Sequence, residues 1–483
     1  MNMERPRYER PTMVRNVVGR MNKAGMRAEL SRAGSAIDEV PIERLCSEFG
    51  SPLFVFSERR LRKAVRRAKE ALQRQHPKAR LCCSYKTNYL GAICAIQHQE
   101  GSLAEVVSGV EYEQARRLCV GGEDIVFNGP WKTRDELERA FAEGAIVHAD
   151  SFDEIFAAER IAADRGIEPR LGIRVGLDAG IYPRWDRFGF DLSSGEAMQA
   201  VRRIAKGGRL RFGGLHTHIG TYVLDAKAYG RAAAQLSSFA GEVESQLGVR
   251  PTHLDLGGGF ASSNTLASQY QAGSLSPPIE AYAEAIGAAL LGEGEKKAPL
   301  LPLLAEPGRA IVDEAGTLVT TVVSQKRLAD GRRALVVDAG VNLLFTAWWY
   351  RLNVQPAKAV EGVVEDTAVF GPLCMNIDCL RQSVPLPNLR PGDRLTVHPV
   401  GAYAFTQSMQ FIRLRPAVVL IGEDGRPELI RRAEVVDDLT GPERVPDRLL
   451  RRRSRDPARA ANGRDGAADG GGEGQAARKA RIP

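Results

Sequence analysis

The feature that most constrains the fold is a regular alternation of short apolar runs with helix-length spacers between residues 80 and 307. Strands that alternate with helical patterns in this way indicate βαβ units and a parallel sheet. Eight such units match an α/β fold of the (β/α)8 TIM-type barrel class, with a doubly wound open sheet as the structural alternative. The predicted barrel strands are residues 80–85, 104–108, 124–129, 145–150, 170–175, 212–218, 252–257 and 302–307.

The pattern changes after residue 310, where β-branched segments are separated by Gly/Pro turns and long helical patterns are scarce. This change predicts a mostly antiparallel β-domain. The run PLFVF (52–56) precedes the barrel and predicts a strand that joins this domain. The other predicted strands are residues 316–327, 333–340, 365–371, 393–400 and 415–422.

Five segments are therefore predicted along the chain. They are a basic N-terminal extension (1–35), strands joining the β-domain (36–57), the barrel (58–310), the β-domain (311–432) and a largely disordered basic tail (433–483). The net charge of +8 lies at the two ends, since residues 1–35 and 451–483 each carry +5 and the remainder carries −2. We expect solvated ends and no specific nucleic-acid binding, because the body contains no nucleic-acid motif.

Composition excludes several classes of protein. With 43% hydrophobic and 26% charged residues, the 483-residue chain is neither fibrous nor wholly disordered. No run approaches the ~20 apolar residues of a membrane helix, and the N-terminus lacks a secretory signal, so a cytoplasmic protein is predicted. The seven cysteines include no C-x-x-C pair, which predicts free thiols and no metal site.

Polar residues follow the predicted barrel strands, where residues that act on substrate lie in barrels of this kind. Lys86 directly follows the first strand. A lysine there can form a Schiff base with an aldehyde cofactor, although a surface or salt-bridging lysine is the more frequent role. The other residues at these strand ends are Glu105, Arg174, His216, His218, Gly257–Gly259, Glu306 and Arg309.

Two of these motifs suit a phosphate group. LDLGGGF (254–260) ends a strand in three glycines, whose successive N–H groups can form an anion-binding nest, with a tight turn as the alternative. EPGR (306–309) places a carboxylate and a guanidinium at the eighth strand's end, with a structural ion pair as the alternative. In HTHIGTY (216–222), either histidine taken alone is as well explained by a structural role in the core.

Together, the order and spacing of these motifs resemble the fold-type III pyridoxal-phosphate decarboxylases, which share the alanine racemase-like barrel. The resemblance is strongest to the bacterial diaminopimelate decarboxylases and covers about residues 36–430. Further motifs that carry it are AEVVSGVEY (104–112), IVFNGPWKT (125–133), RFGF (187–190), DAGVN (338–342), GPLCMNID (371–378) and GAYAF (401–405).

The resemblance implies that pyridoxal 5'-phosphate is the cofactor and that the reaction removes a carboxylate from an amino acid. It implies that Lys86 binds the cofactor covalently, that His218 stacks on its pyridine ring and that Glu306 pairs with the pyridine nitrogen. Burial against the cofactor is expected to lower the pKa of Lys86. The implied cofactor-binding residues are Lys86, Glu105, Arg174, His218, Gly258, Gly259, Glu306, Arg309 and Tyr403.

The resemblance also implies a head-to-tail homodimer with shared active sites. Cys374 and Tyr403 would come from the second subunit, and Cys374 would protonate the product carbon. The implied catalytic residues are thus Lys86, His218 and Cys374. Glu306 favours decarboxylation over racemisation, because racemases of this fold carry an arginine beside the ring nitrogen.

The residues expected at the substrate's far end depart from the family pattern. Diaminopimelate decarboxylases have an Arg-Pro pair where this chain has Thr346 and Ala347, and a glutamate where it has Met375. Each lost charge-assisted hydrogen bond is worth about 1.5–3 kcal/mol. A larger or less polar pocket is predicted, with Trp348, Trp349 and Phe411 beside it or, for the tryptophans, packed in the β-domain core. The substrate-pocket candidates are Thr346, Tyr350, Met375 and Asp378.

These observations predict a pyridoxal-phosphate-dependent carboxy-lyase. Its predicted substrate is a small or carrier-linked amino acid or amino-acid derivative, such as a siderophore intermediate, and an acidic carrier would suit the basic ends of the chain. The alternatives are a meso-diaminopimelate decarboxylase of lysine biosynthesis, an amino-acid racemase and a non-catalytic regulatory homologue.

Overall fold

The computed structural model describes residues 34–267, 276–291, 300–361 and 363–449, and every structural statement below concerns these residues. The described residues form two compact units, which divide between Glu434 and Val435. The first unit contains both a barrel and a second, mostly antiparallel sheet. Four elements precede the barrel: β1 (Ala36–Ile37), β2 (Val40–Pro41), α1 (Ile42–Phe49) and β3 (Leu53–Ser57).

Eight parallel strands close into a barrel, which confirms the predicted (β/α)8 architecture and excludes the open doubly wound sheet. The strands are β4 (Ala79–Ser84), β5 (Leu103–Val106), β6 (Ile125–Phe127), β7 (Ile146–Ala149), β8 (Arg170–Gly176), β10 (Arg211–His216), β11 (Leu254–Asp255) and β12 (Leu303–Ala305). The short strand β9 (Phe190–Asp191) pairs with β8 outside the ring. Pairing of β8 with β10 closes the barrel, and each predicted barrel strand overlaps an observed one.

Serine and threonine side chains fix where several barrel helices begin. Ser108, Thr133 and Ser151 each accept a backbone N–H from the first turn of the following helix. Because of these caps the helices begin close to the strand ends, and the polar residues between strand and helix lie at one mouth of the barrel. The helices are α2 (Glu58–Gln75), α3 (Gly91–Gln99), α4 (Gly109–Arg117), α5 (Arg134–Ala142), α6 (Phe152–Arg165), α7 (Glu196–Lys206), α8 (Ala226–Leu247), α9 (Ile279–Leu291) and α10 (Gly308–Val312).

The second sheet is mostly antiparallel and contains two parallel pairs. One joins β3 to Ala417–Ile421, and the other joins Arg333–Val337 to Glu365–Phe370. Its strands after the barrel are β13 (Gly316–Arg327), β14 (Arg333–Val337), β15 (Asn353–Pro356), β16 (Glu365–Phe370), β17 (Cys379–Leu386), β18 (Arg394–His398), β19 (Ala417–Ile421) and β20 (Pro427–Arg431). The main order is β17–β16–β14–β13–β3–β19–β20, and β18 joins β13 to β15. The mostly antiparallel β-domain is confirmed, with β3 inserted between β13 and β19.

A loop of the second sheet packs against the end of α10 and so reaches the barrel mouth. A Cβ at Gly401 would overlap the carbonyl oxygen of Val312, so only glycine permits this approach. Phe54 on β3 packs edge-on against Phe405 at a ring-centroid distance of 5.9 Å. One apolar core therefore continues from the barrel into the second sheet.

The second unit contains the helix α11 (Val436–Thr440) and a 3-10 turn at Asp447–Leu449, both within the predicted tail. The predictions for residues 1–33 and 450–483 concern segments outside the described residues. No helix in the described ranges is long and apolar enough to span a membrane.

Candidate active site

Lys86 lies two residues beyond β4 and faces carboxylates from two other strands. Its ammonium donates a hydrogen bond to Glu105 Oε2 and lies 3.9 Å from Glu306 Oε2. Ser84 Oγ donates to the same Glu105 oxygen at 2.7 Å. Burial lowers the pKa of Lys86, but Glu105 and Glu306 raise it by more, so its pKa lies above the ordinary value. The expected lowering of the Lys86 pKa concerns the cofactor-bound enzyme and stays a prediction.

Three buried carboxyl groups, those of Glu105, Asp255 and Glu306, share the interior of the barrel mouth. Burial, with repulsion from Glu105 and Asp255, raises the pKa of Glu306 well above its ordinary value. Burial also raises the pKa of Asp255 to about 7. The site therefore holds more acidic groups than Lys86 and the nearby Arg174 can neutralise.

Arg174 and His218 form the wall of the mouth beside an aromatic loop. The Arg174 guanidinium lies 4.5 Å from the Phe188 ring centroid, and burial lowers its pKa. The His218 ring lies 5.2 Å from that of Trp185. Burial, then repulsion from Arg174 and Lys86, lowers the pKa of His218 well below its ordinary value. A neutral imidazole results, which suits stacking against a pyridine ring.

The glycine turn after β11 brings backbone close to both His218 and Glu306. Gly257 and Gly259 have φ of 65° and 93°, a conformation that glycine adopts readily. The Gly257 N–H donates to Asp255 Oδ1 and the Gly258 N–H to His218 Nδ1, each at 2.9 Å. The expected nest of free N–H groups is therefore wrong for Gly257 and Gly258, because side chains already bind both.

Arg309 on α10 is enclosed by three tyrosine rings. Its guanidinium lies 5.5, 4.8 and 4.7 Å from the ring centroids of Tyr222, Tyr350 and Tyr403. The residue is 7% exposed, and within the described part of the chain its Nη1 has no hydrogen-bond partner. A buried guanidinium with a spare donor is well suited to bind a phosphate.

Tyr403 reaches the site from the same chain. Its N–H donates to the Thr87 carbonyl at 2.9 Å, and its hydroxyl lies 3.3 Å from Thr87 Oγ1. The expectation that a second subunit supplies Tyr403 is therefore wrong. The cause is the close packing of Gly401, together with the Ala402 N–H, which donates to Asp313 Oδ1 at 3.1 Å and holds this loop against its own barrel.

The residues of GPLCMNID lie on the loop between β16 and β17. Cys374 is exposed, and no hydrogen bond or ion pair within the described ranges joins it to the barrel mouth. Met375 is partly buried. Asp378 is buried, and its carboxylate accepts N–H groups from Val341 at 2.8 Å and Leu373 at 2.7 Å. Asp378 therefore supports the loop from inside instead of presenting a free carboxylate.

The other substrate-pocket candidates lie on the segment that leads to β15. Thr346 is buried, and Tyr350 packs against Arg309. Trp348 and Trp349 are 50% and 44% exposed, so the alternative that they pack in the β-domain core is wrong. The Trp349 carbonyl accepts the Ala267 N–H at 2.7 Å, which attaches this segment to the loop that follows the glycine turn.

Sequence reasoning missed several residues of the site. Asn128 donates to Glu306 Oε1 at 2.7 Å, Ser84 binds Glu105, and Trp185 contacts His218. Asn128 lies just beyond β6, and Asp255 is the last residue of β11. The rule that polar residues at strand ends face the mouth would have found both.

Among the described residues, His216, Asp255 and Glu306 form a buried group whose ligand-type atoms all lie within 4.8 Å of one another. Histidine and carboxylate are metal-binding groups. Glu306, however, already accepts from Asn128 and lies beside Lys86. We therefore assign the group to the cofactor site, and the absence of a metal stays a prediction.

Comparison with known proteins identifies the family. The pyridoxal-binding domain of the pyridoxal-dependent decarboxylases matches residues 59–313, which is more than half of the chain. The chain belongs to the pyridoxal-dependent decarboxylases. The resemblance found in the sequence is thereby confirmed, and the enzyme is a pyridoxal-phosphate-dependent amino-acid decarboxylase. The racemase and the non-catalytic homologue are set aside.

Similar decarboxylases match more than four fifths of the chain. The diaminopimelate decarboxylase of Bacillus subtilis (strain 168) is 29% identical over 82% of this chain and 92% of its own length. That of Aquifex aeolicus (strain VF5) is 30% identical over 84% of this chain and 94% of its own. The crystal structure of the M. jannaschii diaminopimelate decarboxylase with L-lysine has a TM-score of 0.78 at 27% identity, covering 86% of this chain and 97% of that one.

The residues of the site fit the family's cofactor. The spare guanidinium donor of Arg309 suits its phosphate, the Lys86 amine suits its aldehyde and a Glu306 carboxylate suits its pyridine nitrogen. When bound, pyridoxal phosphate supplies the electron sink for the electron pair left as carbon dioxide departs.

Proposed function

We propose that this decarboxylase acts on an amino acid or amino-acid derivative whose far end is larger or less polar than that of diaminopimelate. Carrier-linked amino acids and siderophore intermediates have far ends of this kind. The observation that carries the proposal is Thr346, which is buried where related enzymes place a carboxylate-binding arginine. A threonine provides no charge for a distal carboxylate.

Other residues on the loops of the second sheet support the same substrate class. Trp348, Trp349 and Phe411 expose large aromatic surfaces, and Met375 stands where the family has a glutamate. Exposed apolar side chains of this size favour an apolar binding partner. Asp378 cannot replace the missing charge, because backbone N–H groups occupy its carboxylate.

We assign the cofactor roles as follows. Lys86 binds the aldehyde, and Glu306 accepts a hydrogen bond from the pyridine nitrogen. His218 stacks on the ring face, and the spare donor of Arg309 binds the phosphate. Arg174 and Glu105 supply a positive and a negative charge beside the cofactor. Gly258, Gly259 and Tyr403 lie around that phosphate.

We further propose a homodimer in which Cys374 of one subunit donates a proton from Sγ to the product carbon at the other subunit's site. Its exposure supports this role, as does the placement of Tyr403, which leaves Cys374 as the residue to be supplied across the interface.

The dimer is tested by mixing two inactive variants, Lys86→Ala and Cys374→Ala, after reversible dissociation. Half of the randomly formed dimers then carry one intact site, so about a quarter of wild-type activity should return. A mixture that stays inactive, although size measurement shows mixed dimers, would exclude a shared site.

A second candidate is meso-diaminopimelate decarboxylation, favoured by likeness to enzymes of that name over 82–84% of the chain. The deciding measurement is carbon dioxide release by the cofactor-loaded enzyme from meso-diaminopimelate, L-lysine and Nε-acyl-L-lysine. We expect the acylated, uncharged far end to give the highest kcat/KM. Rapid turnover of diaminopimelate to lysine would overturn the proposal and select the second candidate.

A matched pair of variants sharpens this test. Thr346→Arg restores the family's charge and should raise kcat/KM for diaminopimelate about tenfold or more, since a charge-assisted hydrogen bond is worth about 1.5–3 kcal/mol. Thr346→Ser keeps the size and polarity and should leave the preference unchanged. Circular dichroism and cofactor absorbance establish that both variants fold.

A further inference from the structure

A line of buried hydrogen bonds leads from Glu306 into the barrel interior. Asn128 Nδ2 donates to Glu306 Oε1 at 2.7 Å, and Asn128 Oδ1 lies 2.8 Å from His148 Nδ1. His148 Nε2 lies 2.8 Å from His253 Nε2, and His253 Nδ1 lies 2.9 Å from Thr252 Oγ1. We call Asn128, His148, His253 and Thr252 the histidine network. Its members other than Thr252 are buried.

The distances restrict where the protons lie. Two imidazole nitrogens at hydrogen-bond distance need one donor and one acceptor, so His148 and His253 cannot both present N–H groups to each other. Both rings are neutral, because burial lowers the pKa of His148 well below its ordinary value and that of His253 to about 4. Each ring therefore carries one proton.

Only one arrangement satisfies every hydrogen bond when Glu306 is ionised. Asn128 then donates to Glu306 and accepts from His148 Nδ1–H. His148 Nε2 must accept from His253 Nε2–H, and His253 Nδ1 must accept from the Thr252 hydroxyl. All four hydrogen bonds thus point toward the carboxylate.

If Glu306 is protonated and donates, all four hydrogen bonds must reverse. The Asn128 amide turns over, His148 carries its proton on Nε2, and His253 donates from Nδ1 to Thr252. Any mixture of the two arrangements leaves a buried donor or acceptor unpaired, which is unfavourable. The histidine network therefore has two self-consistent states, one in which Glu306 Oε1 accepts a hydrogen bond from Asn128 and one in which Oε1 donates to it.

The charged groups around Glu306 act in opposite directions on its ionisation. Glu105 and Asp255 repel a Glu306 carboxylate, whereas Lys86 Nζ at 3.9 Å and Arg174 favour it. His216 Nε2 lies 3.6 Å from Glu306 Oε1, and its ring stacks on His148 at 5.2 Å. Because the histidine network prevents the Asn128 amide from turning over freely, its N–H continues to face Glu306 Oε1. This N–H favours the ionised carboxylate of Glu306 over the protonated acid.

We propose that Asn128, His148 and His253 are positioning residues that hold Glu306 in its ionised, hydrogen-bond-accepting form for the cofactor's pyridine nitrogen. The inference deepens the proposed function and rests on its pairing of Glu306 with that nitrogen. It predicts the Nδ1–H tautomer for His148 and the Nε2–H tautomer for His253.

Nitrogen-15 NMR on the cofactor-loaded enzyme tests both the histidine tautomers and the protonation of the pyridine nitrogen. Histidine labelling reports the tautomers, and pyridoxal phosphate labelled at its pyridine nitrogen reports the protonation of that atom. We expect His148 Nδ1–H, His253 Nε2–H and a protonated pyridine nitrogen in the wild type. His148 found as the Nε2–H tautomer would overturn the inference.

Variants distinguish a positioning role of His148 from a role in packing alone. His148→Leu should move the pyridine nitrogen toward its unprotonated shift and lower kcat about tenfold with little change in KM. His148→Gln keeps one donor and one acceptor and should restore both values. His76→Leu changes another buried histidine, at the end of α2, and should leave the nitrogen shift unchanged. A folded His148→Leu enzyme with an unaltered nitrogen shift would overturn the inference.

Two further variants test the histidine network in another way and separate it from the proposed pairing of Glu306 with the pyridine nitrogen. If His148→Leu does not fold, Thr252→Val removes only the terminal hydroxyl and should leave His253 as the single Nε2–H tautomer, because the hydrogen bond to His148 still requires it. A mixture of tautomers at His253 would contradict the inference. Glu306→Gln distinguishes the two proposals. A nitrogen shift unaffected by Glu306→Gln would refute the pairing itself. A shift that responds to Glu306→Gln but not to His148→Leu would refute only the histidine network.

Discussion

The two ends of the active site are built in different ways. At the cofactor end, Lys86, Glu105 and Glu306 lie near the ends of strands of one closed barrel, and Lys86 faces both carboxylates. At the substrate end, Thr346 and Cys374 lie on segments between strands of the second sheet, with exposed side chains nearby. The proposed cofactor residues are thus positioned by strands, whereas the proposed substrate-pocket residues lie on loops, which can change without disturbing the barrel.

The largest expected effect belongs to the cofactor end. Lys86→Ala removes the amine that binds the aldehyde and should lower carbon dioxide release by about 10³-fold or more, since the amine's covalent role is lost. Borohydride reduction followed by mass spectrometry should then find no cofactor attached. Thr346→Ser, at the other end, should keep the attachment and most of the rate. Comparable losses in both variants would refute the contrast between the two ends.

The next effect concerns stability at the substrate end. Asp378→Ala leaves the N–H groups of Val341 and Leu373 without their acceptor and should lower the free energy of unfolding by about 1–3 kcal/mol. Urea denaturation measures this change, and Asp378→Asn, which keeps one acceptor oxygen, should lose less. If Asp378→Ala instead raised KM without loss of stability, Asp378 would contact substrate directly.

The same contrast governed what the sequence could predict. Each buried barrel strand is a short apolar run, so the sequence predicted all eight. Lys86 and Glu306 were found because each is a polar residue at the end of such a run. In the second sheet, β15 and β20 were missed, because they are short, partly exposed and lack such a run. β17 was also missed, since polar residues interrupt it.

Properties that depend on several segments at once were beyond the sequence. The direction of the Lys86 pKa depends on two carboxylates from distant strands, and their convergence appears only in the folded barrel. The placement of Tyr403 depends on the packing of Gly401 against α10. The histidine network joins residues more than a hundred positions apart, and no local pattern connects His148 to His253.

The last expected effect is a pH dependence of stability at the cofactor end. Burial raises the pKa of Asp255 in the folded protein to about 7, whereas an unfolded aspartate has a pKa of about 3.9. Between these values the folded state binds a proton that the unfolded state lacks. The stabilisation is therefore complete below pH 4 and is lost as the pH rises through 7, with a slope of up to about 1.4 kcal/mol per pH unit.

Asp255→Asn should remove this slope, so that the difference in unfolding free energy between wild type and variant shrinks or reverses as the pH rises from 4 to 7. Glu111→Gln is the matched control, because burial raises the pKa of Glu111 to about 7 as well, and the slope that it removes should add to that of Asp255→Asn. Denaturant titrations of the cofactor-free protein at several pH values measure both. Parallel curves for wild type and Asp255→Asn would mean that Asp255 is already ionised at pH 4, and that the cations Lys86 and Arg174 outweigh burial throughout the mouth.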